Sequence, residues 1–343
     1  MKYVTLLYFS NSNKFGVYNF LFNLKKSINN LNYKISLYSK NNLLGSIKYI
    51  KSCHILYLNG CWSFNYFLIF LLAKLKKKII FFSPHGMLDS GSLNYKKFKK
   101  KIAWILYQKI ILKYSNKIIV NSKLEKKNLN LLGVHNNISI IPHGITTFNL
   151  KSTKYKSNSS IFRVIFFSRI HPIKGLAELV NFWIKSRFLL NSSQYQLDVY
   201  GYAEDKDYLK SVRFIIYKNK VNNINIFSNN KFYNKKIISN YDLLIAPSIS
   251  ENFSLVVLEA LYLKVPVVTS VNMPWKFLEK LDLGLTINFL NYREAKKIFL
   301  FIKKLKKKKY KKKFIINSTK LIREKYNWSL ISKKYISIFE KFI

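Results

Sequence analysis

Apolar residues recur along this chain in two alternating patterns: short dense runs rich in Ile, Val, Leu, Phe and Tyr, and longer stretches with one apolar face. The short runs read as strands at residues 3–8, 34–38, 54–58, 79–82, 117–120 and 138–141, and again at 162–167, 196–200, 224–227, 242–246, 266–269 and 285–287. The longer stretches read as helices, among them 18–31, 64–76, 98–112, 124–132 and 255–261. Strands alternating with helices predict an α/β chain with parallel sheets, because parallel neighbours need a crossover between them. Residues 147–160 are polar and aperiodic, and read as a linker. With 343 residues the chain is long enough for two cores. The expected division is 1–150, 151–325, and a terminal helix over 326–343. In that last segment Trp328, Ile331, Tyr335, Ile338 and Phe342 recur every three or four residues and form one apolar stripe.

Composition narrows the class. Apolar residues make up 49% of the chain, which suits a globular protein. The net charge of +45 invites a nucleic-acid reading. Its make-up argues against one, since the only arginines are Arg163, Arg169, Arg187, Arg213, Arg293 and Arg323 and the other basic residues are lysine. Surfaces that read nucleic acid favour arginine for its bidentate fork. The abundance of Lys, Asn, Ile, Tyr and Phe is instead that of an AT-rich genome. Cys53 and Cys61 are the only cysteines and show no zinc spacing, so two buried thiols are expected and no metal. Residues 1–9 read as a strand, without the charged start and cleavage site of a signal peptide. The most apolar segment, 67–73, is far shorter than the roughly 20 residues of a spanning helix. The expectation is a cytoplasmic protein, with attachment to the inner face of the membrane as the further reading of its lysines.

Ligands of parallel α/β sheets bind at the C-terminal ends of strands, and the chemistry-bearing residues fall there. The first strand is followed by Ser10-Asn11-Ser12-Asn13-Lys14-Phe15-Gly16 and the fourth by Ser83-Pro84-His85-Gly86-Met87-Leu88-Asp89. Ser168-Arg169-Ile170-His171-Pro172-Ile173-Lys174-Gly175 follows the first strand of the second half. Arg169 and Lys174, five apart across a proline turn, are expected to converge on one anion. Glu251-Asn252-Phe253-Ser254-Leu255-Val256-Val257-Leu258-Glu259 follows the strand at 242–246. A helical rise of about 1.5 Å per residue puts its two carboxylates about 12 Å apart along the axis. The free N–H groups near Phe253 to Val256 would then face phosphate.

Taken in order, these segments resemble the retaining glycosyltransferases of the large family-four group. The segments are Ser-Pro-His-Gly-Met-Leu at 83–88, Ile-Pro-His-Gly-Ile at 141–145, the loop at 168–175, the stretch at 247–260, Pro-Val-Val-Thr at 266–269 and Pro-Trp at 274–275. The resemblance covers nearly the whole chain. It implies the GT-B fold, two Rossmann-like doubly wound domains facing a cleft, and a UDP- or GDP-linked sugar donor. The implied acceptor is a glycan or a lipid-linked hydroxyl in cell-surface polysaccharide or lipopolysaccharide synthesis. No metal cofactor and no nucleic-acid partner is implied. Arg169 and Lys174 match the pair that holds the donor diphosphate, Glu251 the glutamate near the donor sugar, and Glu259 the one that bonds the ribose. His85 matches the histidine beside the transferred sugar, and Gly16 the glycine of the first loop. Phe253, Ser254 and Leu255 would supply backbone donors. GT-B chains commonly end in a helix that crosses back to the first domain, which places 326–343 there.

The sequence departs from the family pattern at Phe15, at His143 and Thr146, at Asn229 and Asn230, and at Ser254, where glycine is commoner. A catalytically weakened homologue and a non-catalytic basic nucleic-acid binder are the alternatives to an active transferase. Asp205-Lys206-Asp207 mimics a metal-binding Asp-x-Asp but sits where a helix cap belongs. His54 and His135 read as structural. His171 reads as shaping its loop or as a plain turn residue, and Trp62 as a core aromatic or a sugar platform. Lysines 74–78 and 96–101, beside the apolar run 67–73, are either solvated faces or an adhesion surface for anionic lipid. The run 303–313 reads as one solvated helix face.

Overall fold

The computed structural model describes residues 2–9, 16–28, 33–39, 42–94, 96–135, 137–145, 161–186, 194–228 and 235–343. Residues 10–15 of the first loop, the expected linker 147–160, Thr146, Asn229 and Asn230 lie outside them. The described residues form two compact units, 1–146 with 324–343, and 147–323.

The first unit holds β1 (Lys2–Leu7), β2 (Tyr33–Tyr38), β3 (Ile55–Asn59), β4 (Ile79–Ser83), β5 (Lys117–Val120) and β6 (Ile138–Ile140). They pair in parallel in the order β2-β1-β3-β4-β5-β6. The second holds β7 (Phe162–Phe167), β8 (Tyr195–Tyr200), β9 (Ile224–Phe227), β10 (Leu243–Ala246), β11 (Val267–Ser270) and β12 (Gly284–Ile287), in the order β12-β11-β10-β7-β8-β9, again parallel. Every expected strand is present, with each end within one residue of its expected place. Both faces of the first sheet are covered, so its strands bury consecutive residues rather than alternate ones. On β4, Ile80 and Phe82 join the core on one face and Phe81 the core on the other.

Three helical expectations change. The stretch at 98–112 becomes Lys97–Ala103, a wide π-helical turn Trp104–Gln108, and Lys109–Tyr114. The wide turn brings consecutive Tyr107 and Gln108 inward together. The Tyr107 hydroxyl donates to the Trp62 carbonyl at 2.8 Å, and the Gln108 side-chain Oε1 accepts from the Trp62 N–H at 3.1 Å. The lysine run 303–313 spans two helices, Ala295–Leu305 and Lys308–Leu321, rather than one face. The stretch from Glu251 to Glu259 is helical only from Leu255, for reasons given below.

The C-terminal helix, Trp328–Glu340, lies in the first unit and packs on the Gly16–Ile28 helix. Ile331, Tyr335 and Phe339 are fully buried in the core that holds Phe20, Tyr57 and Phe81. Ile338 and Phe342 are only partly buried, so the inward stripe runs 331-335-339. Cys53 and Cys61 are buried free thiols, and burial pushes both upward in pKa. Among the described residues no helix is long and apolar enough to cross a membrane.

Candidate functional site

In the second unit the strand order reverses between β7 and β10, and the loops leaving their C-terminal ends diverge there. Such a reversal opens a crevice beyond the strand ends, the usual ligand position in a doubly wound sheet. The two loops are joined. Ile249 N–H donates to the Ile173 carbonyl at 3.0 Å, and Gly175 lies against the Pro247 carbonyl, where a Cβ would come within 2.2 Å of the oxygen. Gly175 also has a φ of +71°, the left-handed region that glycine enters without steric cost. His171 shapes the same loop, its Nδ1 accepting from Ile173 N–H at 3.2 Å ahead of the turn Pro172–Lys174.

Two ion pairs start from these loops, Lys174 with Glu251 and Arg169 with Glu204, and a third joins Lys235 to Glu259, on the helix that follows the second loop. The expected convergence of Arg169 and Lys174 is therefore modified: each cation is held by its own carboxylate. Their surroundings differ too, since Lys174 and Glu251 are largely buried (15% and 13% exposed) and Arg169 and Glu204 half-open (36% and 37%).

Glu251 lies in the turn after β10, four residues before the Leu255–Tyr262 helix. The helical rise therefore separates only Leu255 from Glu259, and the 12 Å axial spacing does not apply. The reason is Ser254, whose φ of +66° breaks the helix at its cap. Phe253 turns inward, its ring tilted at 59° and 5.2 Å from that of Trp275, and its carbonyl accepts from the Trp275 indole N–H. Only the backbone of Phe253 remains for a ligand. Val257 N–H donates to the Ser254 carbonyl at 3.2 Å, while the N–H groups of Leu255 and Val256 at the helix start have no earlier helical carbonyl to meet, which leaves them for an anion. Glu259 faces inward from this helix. Burial raises its carboxyl pKa, while Lys235 acts in the opposite direction.

The first unit builds a second polar cluster. His85 follows β4 in a left-handed turn, φ +50°, with Gly86 at +76°. The amide of Asn59 donates to the Tyr57 carbonyl at 2.8 Å, so its oxygen accepts from His85 Nε2 at 2.9 Å. That assigns the ring proton to Nε2 and leaves Nδ1 facing the Asn121 amide at 3.4 Å. Burial lowers the His85 pKa to about 3, so the ring is neutral at physiological pH. His143 lies 6.0 Å away, centroid to centroid, and is also pushed well down by burial and then by His85. Gly16 opens its helix exposed to solvent, with no described atom within 4 Å of where its Cβ would be.

Several residues of these clusters were not anticipated from sequence. Glu125 is 1% exposed and accepts from Gly86 N–H at 2.6 Å and Asn121 N–H at 2.7 Å, fastening the His85 loop to the loop after β5. A signal for it existed, because Ser122-x-x-Glu125 is a capping-box pattern and Ser122 does cap the Lys123–Leu131 helix. Glu204 and Lys235 carry no comparable local signature. Asp205 is a helix cap, accepting from Tyr208 N–H at 2.9 Å. Trp62 donates its indole N–H to the Met87 carbonyl at 3.2 Å, and His54 accepts from Tyr3 N–H at 3.1 Å. Among the described residues no three His, Cys, Asp or Glu side chains gather as a metal site.

Two family models match consecutive parts of the chain: Glycosyltransferase Family 4 over residues 5–147 and Glycosyl transferases group 1 over residues 148–275. No curated protein matches the sequence. Among solved structures, a glycosyltransferase from Rickettsia africae ESF-5 superposes with a TM-score of 0.77 at 16% identity, over 99% of this chain and 98% of its own. Anabaena HepE in complex with UDP-glucose gives 0.76 at 15%, over 98% and 99%. WaaG, a glycosyltransferase involved in lipopolysaccharide biosynthesis, gives 0.68 at 12%, over 97% and 98%. Identities this low speak for the fold, and the two family models speak for the family. The chain belongs to the family-four, group-1 glycosyltransferases and has their two-domain GT-B fold.

Proposed function

We propose that this glycosyltransferase moves a sugar from a UDP- or GDP-linked donor to a hydroxyl of a glycan or lipid-linked acceptor, with retention at the anomeric carbon. The observation that carries the reading is the second unit's switch point, where Lys174, Arg169 and the start of the Leu255–Tyr262 helix share one pair of loops with Glu251. The UDP-glucose bound by HepE supports the donor class, and the role of WaaG in lipopolysaccharide biosynthesis supports a cell-surface glycan as product.

In the reaction the sugar C1–O bond breaks toward an oxocarbenium-like state, and its electron pair leaves on the diphosphate. Arg169, Lys174 and the helix start absorb that charge, an electrostatic effect typically of about 3–4 kcal/mol per well-placed donor. Attack by the acceptor hydroxyl from the leaving-group face retains configuration, and its proton passes to the departing phosphate oxygen. Glu251 orients Lys174 and meets the sugar. Glu259 accepts from the ribose hydroxyls, with Lys235 holding its carboxylate. Gly16 carries no side chain where bulk would block donor or acceptor, and Ser254 and Leu255 present backbone N–H groups. From the first unit, His85 serves as a neutral ring fixed by Asn59 and Asn121.

The test is a thermal-shift screen of UDP- and GDP-sugars, since a bound donor raises apparent stability by mass action. It is followed by NMR of the product anomer. One donor should shift the melting temperature at micromolar concentration and yield a product with the donor's anomeric configuration. Inverted product would remove the retaining mechanism. No shift with any sugar nucleotide, together with sequence-selective nucleic-acid binding, would remove the transferase reading.

A further inference from the structure

Away from these clusters, two packed helices of the first unit carry apolar rows on both their inner and outer sides. The Phe64–Leu75 helix lies against the wide turn Trp104–Gln108, with the Phe64 and Phe67 rings 5.7 Å and 6.0 Å from that of Tyr107. The inner sides are core: Ile69, Phe70 and Ala73 from one, Ala103, Ile111 and Leu112 from the other. Most of the run 67–73 is thus packed inside or only partly open, which corrects its reading as the apolar half of an adhesion surface. The outward rows are different residues. Phe64, Leu71 and Leu75 are 54%, 41% and 81% exposed, and Phe98, Ile102, Ile105 and Leu106 are 76%, 44%, 65% and 62% exposed.

Exposed apolar residues scattered singly are ordinary, but two rows on neighbouring helices make a patch that calls for an apolar partner. The surrounding charge identifies the partner. Residues 74–113 contain eleven lysines and one acid, Asp89, which is buried. The lysines flank the rows at 74–78, 96–101, 109 and 113, and Lys100 lies 5.4 Å over the Trp62 ring. Apolar rows rimmed by a large excess of ammonium over carboxylate groups, with aromatic rings beside them, fit an interface with negative phosphates above hydrocarbon. The other lysine-rich run, 303–313, supplies a contrast. Lys304 and Lys313 pair with Asp282 at 2.6 Å and 2.7 Å, and its Leu305 and Tyr310 are buried. Within the run no large apolar residue is exposed, and the exposed ones of its two helices, Leu300, Ile315 and Ile316, stand outside it.

We infer that this face of the first unit docks on an anionic bilayer surface, with Phe98, Ile102, Ile105 and Leu106 entering the headgroup boundary and the flanking lysines bonding lipid phosphates. Docking of this kind would hold the enzyme where a lipid-linked acceptor lies. It is independent of donor binding, so it can fail while the proposed activity stands.

The experiment is flotation of the full chain with phosphatidylcholine vesicles and with vesicles that also contain phosphatidylglycerol, at two salt concentrations. Wild type should float only with the anionic vesicles, and less at high salt. A triple variant Phe98→Ser, Ile102→Ser, Ile105→Ser should lose roughly tenfold or more of that binding at low salt, and so should Lys97→Gln, Lys99→Gln, Lys101→Gln. The charge-matched control Lys307→Gln, Lys308→Gln, Lys312→Gln should stay within about twofold of wild type. Retained donor-induced thermal shifts would show that each variant is folded. Absent wild-type flotation would overturn the inference, and so would equal losses in control and test variants. A dimer abolished by the serine variant while flotation persists would assign the patch to self-association instead.

Discussion

At the scale of single side chains, the second unit's site is a set of charges, each held by an opposite one. Lys174 and Arg169 each meet a carboxylate, which orients both for the diphosphate they are proposed to hold. Replacing either by alanine should lower turnover roughly ten- to thousand-fold, because leaving-group charge is greatest in the transition state. Steady-state kinetics checks this, and near-normal rates in both variants would displace the clamp. The glutamates should separate. Glu259→Gln should weaken donor binding by about 1–3 kcal/mol, the range for a charged hydrogen bond, whereas Glu251→Gln should lose rate with a smaller loss of affinity. Burial raises Glu259 above its ordinary carboxyl pKa of 4.5, and in the proposed reaction it is the ionised form that accepts the ribose hydroxyls. Donor KM should therefore rise as pH falls through that raised pKa, a limb missing from Glu259→Gln. Folding stability runs the other way. With the folded pKa raised, the contribution of Glu259 is full below pH 4.5 and is lost as pH climbs through the folded value.

At the scale of elements, the site depends on how two loops and one helix start are fixed. Gly175→Ala should cost about 1–2 kcal/mol from the left-handed backbone alone. The contact with the Pro247 carbonyl adds to that and pushes the two loops apart. The measurement is paired: melting temperature for the first effect, donor affinity for the second. The Lys206–Lys218 helix separates a cap from a metal ligand. Asp205→Asn keeps a capping oxygen and should leave stability and rate unchanged. Asp205→Ala should lose about 1 kcal/mol of stability. Turnover should be insensitive to a chelator in all three proteins. An inactive, metal-dependent Asn variant would return Asp205 to the active site.

At the scale of the molecule, each unit has its own sheet and core, and the first is completed by residues from the far end of the chain. Tyr335 is fully buried there, its hydroxyl 3.4 Å from that of Tyr57. Tyr335→Ala should destabilise the first unit by about 3–5 kcal/mol, the usual cost of emptying a large aromatic site. Amide hydrogen exchange should show the loss in 1–146 and 324–343 and leave 147–323 at wild-type protection. Equal loss in both units would mean that they unfold as one cooperative body.

The sequence by itself determined the strands, their parallel arrangement and the order of the site loops. Strands buried on both faces must be short apolar runs, and loops at strand ends must carry the polar residues, so both are written locally. Ser254 was legible as a departure from glycine, though not that its left-handed backbone would end the helix before Glu251. Tertiary structure alone decided the partners. Glu204 reaches Arg169 across 35 positions, Lys174 reaches Glu251 across 77, and Glu125 meets Gly86 across 39. It also decided which apolar residues of 64–114 face water. Both helices there are apolar on more than one side, and periodicity cannot tell the side that meets a core from the side left open. Only the neighbours that fold against one side settle that.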